Sequence, residues 1–298
     1  MAINVSLLFR PSHTPGGDIT LCIDAAKAAE EAGLYGIHFG DHIMVGNHPE
    51  NYPFGKFIHE PTAPWPEPIT LLSAMAAVTS RIRLSSGILL SPLRSPMMLA
   101  KSIATLDVIS RGRIELGLGV GWQPEEYEAV GLPWEKRYSA FDTGVRACRA
   151  IWGAQPVTFD EPGIKLDRGW VYPLPTQKRI PLMFGLAPTP KNLERIALYG
   201  DGWCPVMTTP AQLREGLDRL AEVLAKHGRS MSEMLVRVSI PYQRLPDDGI
   251  DLDKTFDLAG AYREAGATIV GVATPQYTRD MDDVRAHIAE VARRASLC

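Results

Sequence analysis

Short apolar runs alternate with longer amphipathic stretches along most of this chain. An alternation of this kind is typical of βα units built around a parallel sheet. The predicted strands are residues 3–9, 35–40, 82–90, 113–121, 180–185, 201–206, 234–242 and 268–273. The predicted helices are residues 18–33, 69–79, 96–110, 136–152, 189–199, 210–227, 254–265 and 279–295. The pattern therefore predicts an α/β fold in the form of a (β/α)8 TIM barrel.

Two segments do not fit the alternation and are predicted to be insertions. Residues 44–68 are rich in proline, glycine, histidine and aromatic residues, and such a long connection is usually a functional loop or lid. Residues 156–175 alternate polar and aromatic residues, which predicts an inserted β-hairpin rather than a barrel unit. No linker interrupts the chain, so residues 1–298 are predicted to form one domain.

The predicted strand 113–121 has two very different faces. Successive side chains of a strand point to opposite sides, so one face is aliphatic and the other is nearly bare because of Gly117, Gly119 and Gly121. Glycine weakens a strand and usually indicates a close approach to its backbone. Two explanations are open: a flat cofactor lies against the glycines, or the barrel core packs closely there. In a barrel the glycine face turns inward and the aliphatic face outward, which favours the cofactor.

Composition narrows the list of partners and the cellular setting. Lys and Arg number 31 against 34 acidic residues, for a net charge of −3, and no block of like charge stands out. Nucleic acid and anionic membrane surfaces are therefore not expected as partners. The four cysteines show no metal-ligand spacing, which favours a reduced, cytoplasmic setting. The first apolar run is too short for a signal sequence or a membrane span.

Candidate chemistry is sought at the carboxyl ends of the strands, where barrel enzymes carry their active sites. Asp41 and His42 directly follow the second predicted strand, and an imidazole can transfer protons near neutral pH. The alternative is that His42 is a structural histidine that bonds a neighbouring loop. His38 lies on the same strand face as His42 but far from it, so no metal site is expected. Thr189 begins a helix whose free N–H groups favour a phosphate, unless it is an ordinary threonine cap.

Several stretches carry a resemblance to a known family. They read AAEEAGLYGIHFGDH at residues 28–42, SRIRLSSGILLSPLRSPMMLAKSIATLDVIS at 80–110, SRGRIELGLGVGWQPEEYEAVGLPWEKR at 110–137 and GDGW at 200–203. Together they resemble the luciferase-like monooxygenase superfamily, and most of all its F420-dependent oxidoreductase branch. The resemblance covers nearly the whole chain.

The resemblance implies a bacterial luciferase-like barrel that binds FMN or the deazaflavin F420 at the carboxyl ends of the strands and forms a homodimer. It implies that Asp41 and His42 lie beside the flavin ring and that His42 handles protons. It also implies a non-proline cis bulge under the ring at Gly87 and Ile88. Such a bulge is kept only where function requires it.

Further site residues follow from the same resemblance and from the glycine strand. The other predicted cofactor-binding residues are Gly119, Gly121, Gly185, Ala187 and Thr189. Only one glycine stands in the segment GLAPT, where many relatives have two near the cofactor phosphate. Glu126 is predicted to be catalytic, although Pro124 stands where a glutamate occurs in sugar-phosphate dehydrogenase relatives. A sugar-phosphate substrate is therefore not expected.

The leading functional hypothesis is an F420-dependent oxidoreductase that transfers a hydride between the deazaflavin and a small organic substrate. The alternatives are a monooxygenase that uses reduced FMN and oxygen, and a non-catalytic flavin or deazaflavin-binding protein. Aromatic residues of the predicted lid would cover the substrate and exclude water, which favours a hydrophobic small molecule. The same residues could equally form the packing of the lid itself. They are Tyr52, Phe54, Phe57 and Trp65.

Overall fold

The computed structural model describes residues 3–57, 59–240, 242–245, 250–275 and 280–296. Within them the strands are β1 (Asn4–Leu8), β2 (Gly36–Phe39), β3 (Arg83–Ser86), β4 (Leu89–Leu90), β5 (Leu116–Gly119), β6 (Val157–Glu161), β7 (Ile164–Gly169), β8 (Leu182–Phe184), β9 (Gly202–Trp203), β10 (Leu235–Ile240), β11 (Gln243–Arg244), β12 (Ile250–Asp251) and β13 (Ile269–Ala273). The α-helices are α1 (Leu21–Glu31), α2 (Pro68–Val78), α3 (Pro96–Ser110), α4 (Pro124–Ala129), α5 (Arg137–Ile151), α6 (Pro190–Tyr199), α7 (Pro210–Lys226), α8 (Leu252–Glu264) and α9 (Met281–Ala295).

Parallel strands form a closed barrel in the order β3, β2, β1, β13, β10, β9, β8, β5, β4. β3 and β4 are two halves of one strand that residues 87–88 interrupt, because β3 pairs with β2 and β4 pairs with β5. A bridge between Leu84 and Ile114 also joins β3 to the chain that enters β5. With β3 and β4 counted together, the described strands occupy eight positions in the ring. The predicted (β/α)8 TIM barrel is confirmed.

The two faces of β5 point as the sequence predicted. Leu116 and Leu118 are fully buried in the apolar core that includes the surrounding helices. A Cβ added to Gly117 or Gly119 would instead meet the side chain of Ile88 inside the barrel. β13 is buried along its whole length, as expected of a parallel strand covered on both sides.

Several element boundaries differ from the prediction. The helix predicted from residue 18 begins only at Leu21, since the Asp18 carboxylate accepts the N–H of Thr20 at 2.9 Å in a preceding turn. The strand predicted over 201–206 is reduced to β9, and the strand predicted over 234–242 ends at Ile240. The last helix begins at Met281, and residues 241 and 279 lie outside the described part of the chain.

The two predicted insertions have different structures. β6 and β7 form an antiparallel hairpin within the segment predicted for it, and Phe159 and Leu166 pack against the main core. The described residues 44–57 and 59–68 have little regular structure, apart from a short 3-10 helix at Pro49–Asn51 and the start of α2. The assignment of the whole chain to one domain stays a prediction. Among the described helices, none combines the length and apolar character needed to cross a membrane.

Candidate active site

His42 and Glu126 form a buried hydrogen-bonded pair at the carboxyl end of the barrel. His42 follows β2, and Glu126 lies in the first turn of α4, which follows β5. The His42 Nδ1 atom lies 3.1 and 3.2 Å from the two carboxylate oxygens of Glu126. Glu126 has no exposed surface and also accepts the backbone N–H of Ile43 at 2.9 Å. The carboxylate therefore holds the His42 ring from its Nδ1 side and leaves Nε2 for another partner.

Gln123 completes this pair and was missed by the sequence reasoning. Its Oε1 atom accepts the Gly46 N–H at 2.7 Å, which directs its Nε2 atom towards the pair. Nε2 lies 3.2 Å from the Met44 carbonyl and 3.2 Å from Glu126 Oε2, and it lies 2.9 Å from His42 Nδ1. When His42 Nδ1 carries the imidazole proton, the two amide hydrogens of Gln123 bond the Met44 carbonyl oxygen and Glu126 Oε2. Gln123 thus ties the first residues of the lid to the catalytic candidates.

Asp41 forms an ion pair with Arg94. Its Oδ2 atom accepts the N–H of Leu90 at 2.8 Å and a hydrogen bond from Arg94 at 2.7 Å. Burial raises the pKa of Asp41 in spite of the Arg94 charge. Arg94 also reaches Glu67, at the start of α2, at 2.9 Å. The described contacts of Asp41 therefore connect the ends of β2 and β4, and its contact with a cofactor stays a prediction.

The Gly87–Ile88 peptide bond is cis, as the resemblance implied. The Ile88 side chain projects towards the glycines of β5 and of the segment after β8. A Cβ on Gly119 would collide with Ile88 Cδ1, and one on Gly185 would lie 2.6 Å from Ile88 Cγ2. Gly117 would meet Ile88 at 3.3 Å and would collide with the Ser86 carbonyl. Close packing, the other explanation left open by the sequence, thus describes these glycines, and their contact with a cofactor stays a prediction.

Polar groups inside the barrel pack against the bulge at Gly87 and Ile88. The His38 ring bonds Ser6 at 3.0 Å and Ser239 at 3.5 Å, and it fills the space that a side chain on Gly87 would need. Burial and the charge of Arg237 lower the pKa of His38 well below its usual range. The ring is therefore neutral, and its contacts differ from those of His42.

The residues predicted to bind the cofactor phosphate lie in two different environments. Gly185 and Ala187 line a cavity of about 310 Å³ at the mouth of the barrel, together with Arg219 of α7. Thr189 is the N-cap of α6 and accepts the Asn192 N–H at 3.3 Å, and its contact with a phosphate stays a prediction. Gly121 has a φ of +70°, in the left-handed region that favours glycine, and turns the chain from β5 towards α4.

Aromatic side chains surround His42 on the lid side. Trp65 lies 4.6 Å from the His42 ring centroid, Phe57 5.9 Å and Trp122 6.0 Å, all nearly edge-on. Tyr52 lies 5.3 Å from Trp122 and closes the cluster. The indole N–H groups of Trp65 and Trp122 are buried and meet no acceptor among the described residues. Because an unpaired buried donor is costly, these groups indicate a place for a ligand oxygen.

A family model described as luciferase-like monooxygenase matches residues 1–248. An F420-dependent glucose-6-phosphate dehydrogenase of Beutenbergia cavernae is 29% identical over 255 residues, which cover 83% of this chain and 70% of the relative.

Solved structures of two enzymes share the fold. An F420-dependent secondary alcohol dehydrogenase in complex with an F420–acetone adduct has a TM-score of 0.78 and 19% identity over 99% of both chains. The oxygenating constituent of 3,6-diketocamphane monooxygenase, a type II Baeyer–Villiger monooxygenase from the CAM plasmid of Pseudomonas putida in complex with FMN, has a TM-score of 0.75. It is 16% identical and covers 100% of this chain and 99% of its own.

Proposed function

Because this chain belongs to the luciferase-like monooxygenase family and is an oxidoreductase, we propose that it is an F420-dependent enzyme. When bound, F420 would supply hydride transfer to or from a small organic substrate. The observation that carries the proposal is the His42–Glu126 pair, held at the carboxyl end of the barrel next to the bulge of residues 87–88. An F420-dependent relative at 29% identity favours F420 over FMN.

The chain offers groups that fit a flavin or deazaflavin. The bulge at Gly87 and Ile88 is held by side chains from several strands, which makes a rigid surface for a ring. The cavity beside Gly185 and Ala187 would take the phosphate-bearing tail, and Arg219 would contribute a positive charge there. The unpaired N–H groups around His42 would meet oxygens of the cofactor or the substrate.

His42 would act as the proton donor and acceptor. Since Glu126 takes the hydrogen bond from Nδ1, Nε2 is the atom that can exchange a proton with a substrate oxygen. The indoles and the Phe57 ring would exclude water from that exchange. Glu126 is fully buried and touches His42 rather than the mouth, so we assign it a positioning role.

Cofactor binding tests the proposal directly. The purified protein is titrated with F420 and, separately, with FMN, and cofactor fluorescence is recorded. We expect saturable F420 binding, and Arg219→Gln should weaken it by about tenfold through the loss of one charged hydrogen bond. Micromolar FMN binding without F420 affinity would instead identify the FMN-dependent monooxygenase, the second candidate that the FMN-bound structural neighbour favours.

Turnover separates an enzyme from a non-catalytic binding protein. His42→Ala should lower turnover with a substrate found by screening reduced F420 against carbonyl compounds, by about 10²- to 10⁴-fold. Cofactor affinity should remain unchanged. Equal turnover of the variant and the native protein would remove His42 from the mechanism.

A homodimer remains part of the proposal. α3 exposes Met98, Val108 and Ile109, with 59%, 40% and 45% of their surfaces accessible. Exposed apolar residues on one helix are a feature of subunit contacts, although single ones are common on any surface. Light scattering of the purified protein would give its mass in solution.

A further inference from the structure

Arg10 lies at the mouth of the barrel, on the side of β1. It follows the carboxyl end of β1, and its backbone N–H points to Thr274 Oγ1 at 3.4 Å. Thr274 follows β13 and donates its own N–H to Leu8 at 2.9 Å. The position of Arg10 is therefore set by the two neighbouring strands, at the end of the barrel that carries His42.

The guanidinium of Arg10 has no acceptor among the described residues, unlike other arginines in the interior. Arg94 bonds Asp41, and Arg113 donates to several backbone carbonyls. Arg237 bonds Ser85. Burial lowers the pKa of Arg10, yet an arginine keeps its charge at neutral pH. A partly buried charge without a counter-ion is costly, which indicates a site for an anion.

The groups around Arg10 do not neutralise it. It lies close enough to act electrostatically on His13, His59, Tyr52 and Tyr242. Burial, together with the Arg10 charge, lowers the pKa of both histidines to about 4, so both are neutral at pH 7. Burial raises the pKa of both tyrosines, which are therefore uncharged as well. The described surroundings thus supply polar and aromatic groups but no negative charge.

A continuous set of rings runs from His13, which lies within electrostatic reach of Arg10, to His42. The His13 and His59 rings are stacked with centroids 6.2 Å apart, and His59 bonds Ser12 at 3.1 Å. The His59 ring lies 4.9 Å from Trp65, which lies 4.6 Å from His42. A small molecule lying along these rings could reach both Arg10 and His42.

Arg10 lies away from the cavity that we assign to the cofactor tail. β1 and β8 are separated by β13, β10 and β9 in the ring of strands, so they stand on opposite sides of the barrel. Gly185 and Arg219 line the cavity on the β8 side. Arg10 and Arg219 therefore lie at two different places around the mouth of the barrel.

We propose that Arg10 binds an anionic group of the substrate, a carboxylate or a phosphate, while the reacting oxygen of the same molecule lies at His42. The part of this proposal that concerns His42 rests on the proposed function. The substrate class is then an acid that also carries a carbonyl or hydroxyl group on a short apolar body. A neutral hydrophobic substrate would leave Arg10 without a partner.

Matched probes test the charge requirement without any substitution. Binding of 4-acetylbenzoate, phenyl phosphate and the neutral 4-acetylbenzamide to the full-length protein is measured by calorimetry, with and without F420. We expect one of the two anions to bind about tenfold or more tightly than the amide, as for a charged hydrogen bond. The stronger anion identifies carboxylate or phosphate as the group. Equal binding of all three probes would overturn the proposal.

Substitutions assign that preference to Arg10. Arg10→Gln should abolish the preference for the anion and leave amide binding unchanged, and Arg10→Lys should retain part of it. Arg285→Gln, in an exposed i,i+3 pair on α9, is the matched control and should behave like the native protein. Thermal melting shows whether each variant folds. Anion preference that survives in a folded Arg10→Gln would refute the assignment, as would a loss of F420 affinity equal to the loss of anion affinity.

Failure of this proposal and failure of the proposed function give different results. If F420 binds but no anion is preferred, the Arg10 site is wrong and the function stands. If F420 does not bind but the anion preference depends on Arg10, the site stands and the cofactor assignment is wrong.

Discussion

Replacing Glu126 by glutamine changes one buried oxygen into an N–H₂ group and leaves the shape of the side chain almost unchanged. In the native protein the carboxylate receives His42 Nδ1 at 3.1 Å, the Ile43 N–H at 2.9 Å and Gln123 Nε2 at 3.2 Å. An amide in its place can keep one oxygen on Ile43. That oxygen stands in for Oε1, so it also keeps the 3.1 Å contact with His42 Nδ1. The new nitrogen stands in for Oε2, 3.2 Å from both His42 Nδ1 and Gln123 Nε2, where a donor replaces an acceptor.

The substitution removes the charge that holds the Nδ1 proton and places a donor beside Nδ1, so it should shift His42 towards the tautomer that is protonated on Nε2. In that tautomer Nε2 can no longer accept a proton from a substrate. We expect turnover to fall by about 10²- to 10⁴-fold, the range for loss of a general acid or base. The lost charged hydrogen bond should also cost about 1.5–3 kcal/mol of the free energy of unfolding. Cofactor affinity should stay the same, since the Glu126 side chain is buried behind His42.

Two assays are needed, and one is independent of any substrate. Nitrogen-15 chemical shifts of the imidazole rings, assigned with His42→Ala, report the tautomer in both proteins. Steady-state turnover separates kcat from KM. Glu128→Gln, at an exposed position of the same helix α4, removes a charge outside the buried pair and should change neither measurement. A native tautomer in Glu126→Gln, or unchanged kcat, would refute the positioning role of Glu126.

Two further predictions concern the scaffold. Burial opposes the ionisation of Glu30, but the backbone N–H groups of residues 80–82 outweigh it and lower its pKa from 4.5 to about 2. Glu30→Gln should therefore lower the free energy of unfolding by about 1–2 kcal/mol above pH 4.5, and this difference from the native protein should vanish as the pH falls towards 2. Urea melts between pH 2 and pH 7 measure the difference. A difference that grows on acidification would contradict the prediction. Gly119→Ala should displace Ile88, lower the free energy of unfolding by about 1–3 kcal/mol and weaken cofactor binding. Gly144→Ala is the control and should be tolerated, because its new Cβ would lie 3.7 Å from Leu99. Thermal melting and cofactor titration compare the Gly119 and Gly144 variants. Similar behaviour of both variants would exclude a close contact between Gly119 and Ile88.

The repeated hydrophobic pattern was sufficient to predict the barrel. Eight strand segments alternating with helices leave few ways to bury their apolar faces, and the ring of parallel strands follows. The alternation along β5 also predicted which of its faces turns inward. His42 was found because its place directly after a strand puts it at the end of the barrel where active sites form.

The contacts of the individual site residues depended on tertiary structure. Local pattern could not show that Ile88, from another strand, fills the space beside Gly119, or that Asp41 is engaged by Arg94. Gln123 carried no signal beyond its place after the glycine strand, because its partners belong to the lid.

Sequence alone thus determined the architecture, and it predicted the end of the barrel that carries the candidate site and His42 as its candidate residue. Tertiary structure decided which atoms of His42 and Glu126 meet, and it revealed that Arg10 has no counter-ion among the described residues. The physical reason is that periodicity records burial along one segment. Hydrogen bonds and charge compensation depend on which distant segments are brought together.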